Sequence, residues 1–209
     1  MEKTFSQAMD FRHACKIFDE TKKISNEDIN YILEAGRKSP SSFGQEPWKF
    51  LVITNEELKA SLRPLCWDQV QITSCSHLVV ILAKIEDVKA NSSEVLRKFN
   101  RRGLPQDMVE AYIKKYASHL KDDLSSNEKT FCWSARQTYI ALGNMMTAAA
   151  IKGIDSCPVE GFEKENVEKA LNLDTNKLQV SVILPLGYRV KEQSKQLREK
   201  LEDIVEFIN

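Results

Sequence analysis

A helical segment with apolar side chains on nearly every face, residues 131–151, constrains the fold of this chain more than any other feature. Its large side chains cover more than one side of the helical wheel: Phe131, Trp133, Tyr139, Ile140, Leu142, Met145, Met146 and Ile151. A helix of this kind is buried, either in the core of its own chain or against a partner subunit. Because the helix is long and the chain has only 209 residues, the pattern favours burial against a partner.

Three short hydrophobic runs predict the strands that accompany this helix, and they lie at residues 48–53, 77–83 and 179–186. A capping pattern at Ser25 and Asp28 predicts a helix that ends before Pro40. Further helices are predicted at 55–65, on both sides of a break at 103–105 within 86–123, and at 163–171, with a helix or extended tail at 197–208. Because strands and helices do not alternate regularly, the fold class is predicted to be α+β. We find no linker or repeat, so residues 1–209 are predicted to form a single domain.

The balance of charge and the cysteine content exclude several classes of function. Lys plus Arg equals Asp plus Glu at 30 each, so no overall charge attracts nucleic acid or an anionic membrane. The polar first residues are not a secretory signal, and no apolar run can span a bilayer, so a cytoplasmic protein is expected. Five scattered cysteines and three histidines contain no CxxC pair. They predict buried thiols and no metal site.

Candidate ligand-binding segments lie at both ends of the chain. No GxGxxG or GxxxxGK motif occurs, which argues against a Rossmann nucleotide site and a P-loop. A phosphate would therefore be bound by side-chain cations, and residues 12–16 (RHACK) and 195–198 (KQLR) supply them. Taken alone, residues 12–16 are more typical of a solvated basic turn.

Two loops offer polar groups to the same ligand. Residues 39–48 hold two prolines, a glycine and clustered hydroxyls, and they are longer than an ordinary connection. Residues 155–162 (DSCPVEGF) form a short turn between proline and glycine, whose backbone amides could face a ligand. An ordinary connection remains the alternative for the first loop, and the second is a weak signal by itself.

Five segments in this order resemble the FMN-dependent nitroreductase family. They are RHACKIFD, SPSSFGQEPWKF, CSHLVVILAK, IDSCPVEGF and GYR followed by KQLREKLEDIVEFI, and together they extend from residue 12 to 208. The resemblance implies a nitroreductase-like fold with a central, mostly antiparallel sheet flanked by helices, in an intertwined homodimer. It also implies two tight, non-covalent FMN sites at the subunit interface. Residues 12–16 are accordingly assigned to the cofactor site rather than to a solvated turn.

The resemblance also implies roles for individual residues. The flavin phosphate and ribityl end would be bound by Arg12, His13, Ala14, Gln196 and Arg198. The pyrimidine edge of the ring would face Lys16, Asp68 and Gln71, and the partner subunit would contribute Pro40, Ser41 and Ser42. Pro158, Val159, Glu160 and Gly161 would run along the ring, with an amide of Glu160 or Gly161 directed at the flavin N5 atom. Lys16, Glu160 and Gly161 are the candidate catalytic residues, because they would tune the flavin that performs the chemistry.

Several positions depart from the pattern of the family. Gln196 and Gln71 stand where the family often has lysine, and Asp68 stands where it often has asparagine. Gly44 replaces a frequent asparagine and Glu46 replaces the usual glutamine. Each loss of positive character is expected to lower the reduction potential of a bound flavin, whereas the changes at 44 and 46 would alter the substrate entrance.

The function that the resemblance implies is an NAD(P)H-dependent oxidoreductase of ping-pong mechanism. NADPH or NADH would deliver a hydride, and a nitroaromatic or quinone acceptor would then occupy the same space. One alternative is a flavoenzyme dedicated to a single metabolite, such as an activated alkene or flavin itself, for which the lid-like excursion at 86–123 would select the substrate. Another is a flavin-binding protein without turnover. Small molecules and a second copy of the chain are the expected partners.

Overall fold

The computed structural model describes residues 2–208 as one layer of sheet between layers of helix. The strands are β1 Trp48–Ile53, β2 His77–Lys84, β3 Asp155–Ser156 and β4 Leu178–Gly187. The helices are α1 Phe5–Phe11, α2 Asn26–Arg37, α3 Glu56–Leu62, α4 Gln71–Ser74, α5 Ser93–Asn100, α6 Gln106–His119, α7 Asn127–Ile151, α8 Lys164–Ala170 and α9 Leu201–Ile204. The strand order is β1-β2-β4-β3, and every pairing is antiparallel. The predicted α+β class with an antiparallel sheet is confirmed.

The central strands are apolar along their whole length because both faces of the sheet are covered. Alternate side chains of β2 and β4 enter one cluster with α3, α4 and α8, represented by Leu62, Ile72 and Val167. The other side chains enter a second cluster with α2 and α7, represented by Ile32 and Met145. A strand buried on two faces shows a continuous hydrophobic run rather than alternation, as these two do.

Helix α7 is long and begins at a cap, where the side chain of Ser126 accepts a hydrogen bond from the Lys129 amide. It packs on α2 and the sheet through one face. On another face Tyr139 is 40% exposed and Ile140 is 41% exposed. A single chain therefore does not cover all the apolar surface that the sequence predicted to be buried.

Residues 86–123 form a small helical unit with its own core. Helices α5 and α6 pack Val95, Phe99 and Tyr116 together against Trp133 of α7. The Tyr116 hydroxyl, buried there, donates a 2.5 Å hydrogen bond to the Val88 carbonyl. The break between the two predicted helices is found between Asn100 and Gln106.

The structure differs from the sequence expectation at helix α1 and at Cys132 of α7. Helix α1 was not predicted, since its seven residues are too few to show a clear helical periodicity, and it forms on a capping box between Thr4 and Gln7. Four cysteines are buried as expected, but Cys132 is exposed, because it lies on a side of α7 that no other element of the described chain covers. Within residues 2–208 no helix is long and apolar enough to cross a membrane. No cluster of three metal-ligating side chains occurs in that part of the chain.

After Tyr188 the chain runs over the surface as an exposed tail, residues 189–208. Apart from α9 it is mostly without regular structure, and Val205 has extended backbone angles. Large apolar side chains of the tail are exposed, among them Leu201 and Phe207, the latter 84% exposed. Strand β1 pairs only with β2, so its second edge has no partner strand within the described residues.

Candidate functional site

The basic segment near the start of the chain lies beside the turn that follows α7. Ala14 and Ser156 form a parallel bridge, and the Cys15 amide donates to the Ser156 carbonyl at 3.0 Å. This pairing places Lys16 Nζ 3.6 Å from Cys157 Sγ. The Lys16 side chain is exposed and makes no ion pair within residues 2–208. Two segments that sequence reasoning assigned to one site are therefore neighbours.

The thiol of Cys157 is buried and stays protonated near neutral pH. Burial raises its pKa, although the ammonium of Lys16 and the amide of Gln71 act in the opposite direction. Burial likewise raises the pKa of Cys15 to about 11 and that of Cys75 to about 12. These three cysteines are not poised as nucleophiles.

The turn at 158–161 is anchored to the sheet and presents free backbone donors. Val159 exchanges two hydrogen bonds with Ile183 of β4, at 2.8 and 3.1 Å. The Phe162 amide donates to the Glu160 carbonyl at 3.0 Å. Among the residues that the structure describes, no acceptor receives the amide of Glu160 or that of Gly161. Two adjacent N–H groups are thus available to a ligand.

Two glutamines link this turn to the neighbourhood of Lys16. Gln69 Nε2 donates to the Gly161 carbonyl at 2.8 Å and to the Cys66 carbonyl at 3.0 Å. Gln71 Nε2 donates to Gln69 Oε1 at 2.8 Å and lies 3.8 Å from Cys157 Sγ. Gln71 was predicted at the site from the resemblance. Gln69, two residues earlier in the sequence, was not predicted there, because it belongs to no recognised motif.

A strained turn carries Gln69 to this position. Trp67 and Asp68 both have left-handed backbone angles, with φ of 55° and 53°, and non-glycine residues held there often mark functional sites. The Asp68 carbonyl accepts from Arg63 Nε at 3.2 Å. Trp67 is 69% exposed, and a Cβ added to Gly161 would lie 2.6 Å from its ring. Only glycine fits at 161 while the indole keeps this position.

Helix α7 contributes a tyrosine that the sequence analysis did not single out for the site. Tyr139 Oη donates a 2.5 Å hydrogen bond to Glu160 Oε1. Burial and the adjacent carboxylate raise the pKa of Tyr139, so the phenol remains a donor at physiological pH. The contact joins the predicted interface helix to the turn and orients the Glu160 side chain.

The predicted phosphate-binding residues lie where α1 meets the tail. His13 Nε2 contacts the Ser194 carbonyl at 2.5 Å, and Gln196 Nε2 donates to the Arg12 carbonyl at 2.5 Å. Gln196 also donates to the carbonyls of Met9 and Asp10. Its neutral amide therefore caps the end of α1 and supplies no positive charge to the site. The Arg12 guanidinium is half-buried and has no side-chain partner in residues 2–208.

A cavity of about 440 Å³ opens at this end of the site. Its lining includes Asp10, Phe11, His13, Arg189 and residues 192–196. Arg189 is ion-paired with Asp155 at 2.5 Å and stacks over the Phe11 ring at 4.1 Å. Its charge is therefore already compensated, whereas Arg12, Lys16, Lys195 and Arg198 of the site segments make no ion pair within residues 2–208.

Two predicted contributions are not joined to this surface within one chain. Arg198 Nη1 donates only to the Leu197 carbonyl, at 2.6 Å, among the described residues. In the loop after α2, the Ser42 amide donates to Gln137 Oε1 at 2.9 Å, and Ser41 Oγ accepts from the Glu46 amide at 2.8 Å. Pro40 is exposed. No hydrogen bond connects these residues to Lys16 or to the turn at 158–161.

The loop that carries Gly44 and Glu46 is fastened to α5 and the residues that follow it. Arg101 Nη2 contacts Glu46 Oε1 at 2.5 Å, and Lys98 donates to the Gln45 carbonyl. Burial and the positive charge of Lys84 lower the pKa of Lys98 to about 8. Burial raises the pKa of Glu46, but the hydrogen bond and charge of Arg101 outweigh it, so that the pKa is lowered. Glu46 thus forms an ion pair with Arg101 that a glutamine at this position could not form.

Comparison with known proteins agrees with the geometry. The protein YfkO of Bacillus subtilis (strain 168), a candidate NAD(P)H nitroreductase by name, is 43% identical over 96% of this chain and 96% of its own length. A candidate NAD(P)H:FMN oxidoreductase from Staphylococcus epidermidis ATCC 12228 superposes with a TM-score of 0.86 at 20% identity, covering 100% of this chain and 98% of its own. A candidate nitroreductase from Exiguobacterium sibiricum 255-15, solved in complex with FMN, gives 0.83 at 23% identity over 99% and 98%.

The family assignment rests on the sequence comparisons, since the two solved structures establish the fold alone. The model of the Nitroreductase family matches residues 9–188, which include the end of α1, the whole sheet and the turn at 158–161. The resemblance inferred from five short motifs is confirmed. This chain belongs to the Nitroreductase family.

Proposed function

We propose that this chain is an NAD(P)H-dependent oxidoreductase that binds FMN non-covalently and reduces quinone or nitroaromatic acceptors. The observation that carries the proposal is the position of the unpaired Lys16 ammonium, 3.6 Å from Cys157 and beside the turn with two free amides. The names of the relatives and the FMN in the Exiguobacterium sibiricum structure support it.

The chemistry of the available donors fits a flavin nucleotide. An FMN molecule has a phosphate at one end and ring atoms that accept hydrogen bonds at the other. This surface has cations and N–H donors at both of its ends. Arg12 and His13, with Arg198 and the Gln196 region of the tail, would bind the phosphate. Lys16 and the amides of Glu160 and Gly161 would face the ring, with Ala14, Pro158 and Val159 in contact along it. Asp68 would complete the pyrimidine side, with the buried Gln71 behind it.

Bound FMN would supply hydride transfer in two half-reactions, from NADPH or NADH and then to the acceptor, which makes the cycle ping-pong. The residues of the chain supply position and charge rather than a nucleophile. The Lys16 ammonium stabilises the negative charge that arrives with a hydride, and the fixed amides need no reorganisation when that charge develops. Gly161 leaves room for close approach of the backbone to a planar ring.

We further propose an intertwined homodimer. A second copy would cover three surfaces: the exposed apolar side chains of the tail, the exposed face of α7 and the unpaired edge of β1. The same arrangement would bring Pro40, Ser41 and Ser42 of one subunit to the flavin of the other. Residues 86–123 would act as a lid within the single domain of residues 1–209. In support, Arg101 joins this unit to the loop at 40–46, which carries Gly44 and Glu46.

Steady-state kinetics test the proposal. Oxidation of NADPH and NADH should require a quinone or nitroaromatic acceptor, and double-reciprocal plots at several acceptor concentrations should be parallel, as in a ping-pong cycle. Protein from which flavin has been removed should be inactive and regain turnover with added FMN. A flavin-loaded protein that oxidises neither nucleotide with any acceptor would instead be a flavin store, and intersecting plots would contradict the ping-pong cycle.

A further inference from the structure

We propose that Gln69, which accepts a hydrogen bond from Gln71, is a positioning residue that keeps the Gly161 amide of the turn at 158–161 directed at the ligand. This inference rests on the proposed function, because the ligand at the turn is the flavin. Neither glutamine needs to touch the flavin for this role. The two side chains act on the protein backbone.

Three hydrogen bonds determine how the Gln69 amide is turned. Its Nε2 faces the carbonyls of Gly161 and Cys66, at 2.8 and 3.0 Å, and its Oε1 faces Gln71 Nε2 at 2.8 Å. The reversed amide would set an oxygen against two carbonyl oxygens and an NH₂ against another NH₂. All partners are therefore satisfied in one orientation only. The two carbonyls determine it, and Gln71 donates to the oxygen that this orientation presents.

The peptide groups on both sides of Gly161 are fixed by this arrangement. The Phe162 amide donates to the Glu160 carbonyl, which fixes the peptide between Glu160 and Gly161. Gln69 fixes the next peptide through the Gly161 carbonyl. The Gly161 amide belongs to the first of these peptides, whereas the Glu160 amide belongs to the peptide between Val159 and Glu160, whose carbonyl accepts from the Ile183 amide at 3.1 Å. The Phe162 amide belongs to the second peptide, so Gln69 also positions the donor that holds the Glu160 carbonyl and, through it, the Gly161 amide.

The local fold is built to present Gln69 at this point. The two residues before it, Trp67 and Asp68, both have left-handed backbone angles, which strain residues other than glycine. Hydrogen bonds from the Asp68 amide to the Arg63 carbonyl and from the Gln69 amide to the Cys66 carbonyl hold the turn, at 3.1 and 3.2 Å. This strain places the Gln69 side chain against the Gly161 carbonyl.

Gln71 connects the same network to Lys16. Its side chain is buried, with 3% exposed, and its remaining contact is with Cys157 Sγ at 3.8 Å. The Lys16 ammonium lies 3.6 Å from the same sulfur. The chain from Lys16 through Cys157, Gln71 and Gln69 thus joins both groups proposed to face the flavin ring. Gln71 makes these contacts as a neutral donor, whereas a lysine at 71 would bring a second cation next to Lys16.

The test uses the full-length protein reconstituted with FMN and the variant Gln69→Glu, which keeps the shape and replaces the donor by an acceptor. We expect FMN to bind at least tenfold more weakly, measured by flavin fluorescence, and reduction of bound FMN by saturating NADPH to slow at least tenfold. Gln179→Glu is the matched control, since Gln179 accepts from Lys164 Nζ at 2.7 Å outside the site. The control should bind FMN and react as the natural protein does.

A double-mutant cycle tests whether Gln71 acts through Gln69, and it does not depend on the folding of Gln69→Glu. Gln69→Leu and Gln71→Leu should each weaken FMN binding, and the double variant should be no worse than Gln69→Leu alone. Additive losses, or normal binding and reduction in Gln69→Leu, would overturn the inference. A natural protein that binds no FMN would instead refute the proposed function, so the two failures are distinguishable.

Discussion

Lys16 Nζ and Cys157 Sγ lie 3.6 Å apart although 141 positions separate the two residues in the chain. The contact follows from a short backbone pairing between residues 14–15 and Ser156. It places a cation without an ionic partner beside a turn whose amides are free. A neutral, buried thiol is a suitable neighbour for this cation, because it contacts the ammonium without cancelling its charge.

Replacement of Lys16 by methionine tests the role of that charge. Lys16→Met should slow the reduction of bound FMN at least tenfold, because the cation that stabilises the arriving negative charge is lost. The thermal unfolding midpoint should change little, since the side chain is exposed. Lys22→Met is the control, as Lys22 pairs on the surface with Asp19 at 3.3 Å. Unchanged reduction kinetics in Lys16→Met would remove the proposed role.

Substitution at Gly161 tests the close packing of the turn. The added Cβ of Gly161→Ala would lie 2.6 Å from the Trp67 ring and 3.2 Å from Gln69 Nε2, so the turn or the indole must move. We expect at least a tenfold loss of FMN affinity in a titration. Adding Trp67→Ala should recover part of it, because the ring is the nearest obstacle. Wild-type affinity in Gly161→Ala would show that the packing described here does not matter for binding.

A charge in the tail tests the homodimer. Leu201→Glu places a carboxylate where we expect contact with a second copy, and sedimentation at micromolar concentration should show a shift from dimer toward monomer. The control is Leu96→Glu on α5, where the leucine is also partly exposed, at 42%, but lies outside the tail. A natural protein that sediments as a monomer would contradict the intertwined dimer.

Lys98 predicts a specific dependence of stability on pH. Burial lowers the pKa of Lys98 from 10.5 to about 8, so between these pH values the unfolded chain binds the proton that the folded chain has released. The free energy of unfolding should therefore rise with pH in this window, by about 1–2 kcal/mol between pH 7 and 9.5. Chemical denaturation of Lys98→Met should lack this rise, while Lys114→Met on the exposed side of α6 should keep it. Parallel curves for Lys98→Met and the natural protein would exclude the effect.

Most helices and strands could be predicted from the sequence because their signals are local. Strand β1 begins and ends at the predicted residues, β2 is one residue longer at its end, and β4 is one residue longer at both ends. Their uninterrupted apolar runs follow from burial on both faces. Helix α1 was not predicted because its seven residues make only about two turns, too few for a clear apolar periodicity, and its capping box was the available signal.

The site was predictable only in part, because its contacts join distant segments. The motifs identified residues 12–16 and 155–161 as one site through resemblance, and the structure places Lys16 and Cys157 in contact. No local sequence pattern predicts that Gln69 donates to the Gly161 carbonyl or that Tyr139 donates to Glu160. The role of Arg198 stays a prediction, and so do those of Pro40, Ser41 and Ser42, which require a second copy of the chain.

The most direct test of the central claim is the visible spectrum of the purified protein, with the released chromophore identified and quantified after denaturation. The proposed function predicts a yellow protein that releases FMN at about one molecule per chain, or takes it up to that ratio when FMN is added. Lys16→Met and Gly161→Ala, prepared in the same way, should retain less. A colourless protein that does not take up added FMN would contradict the assignment of this surface as a flavin site.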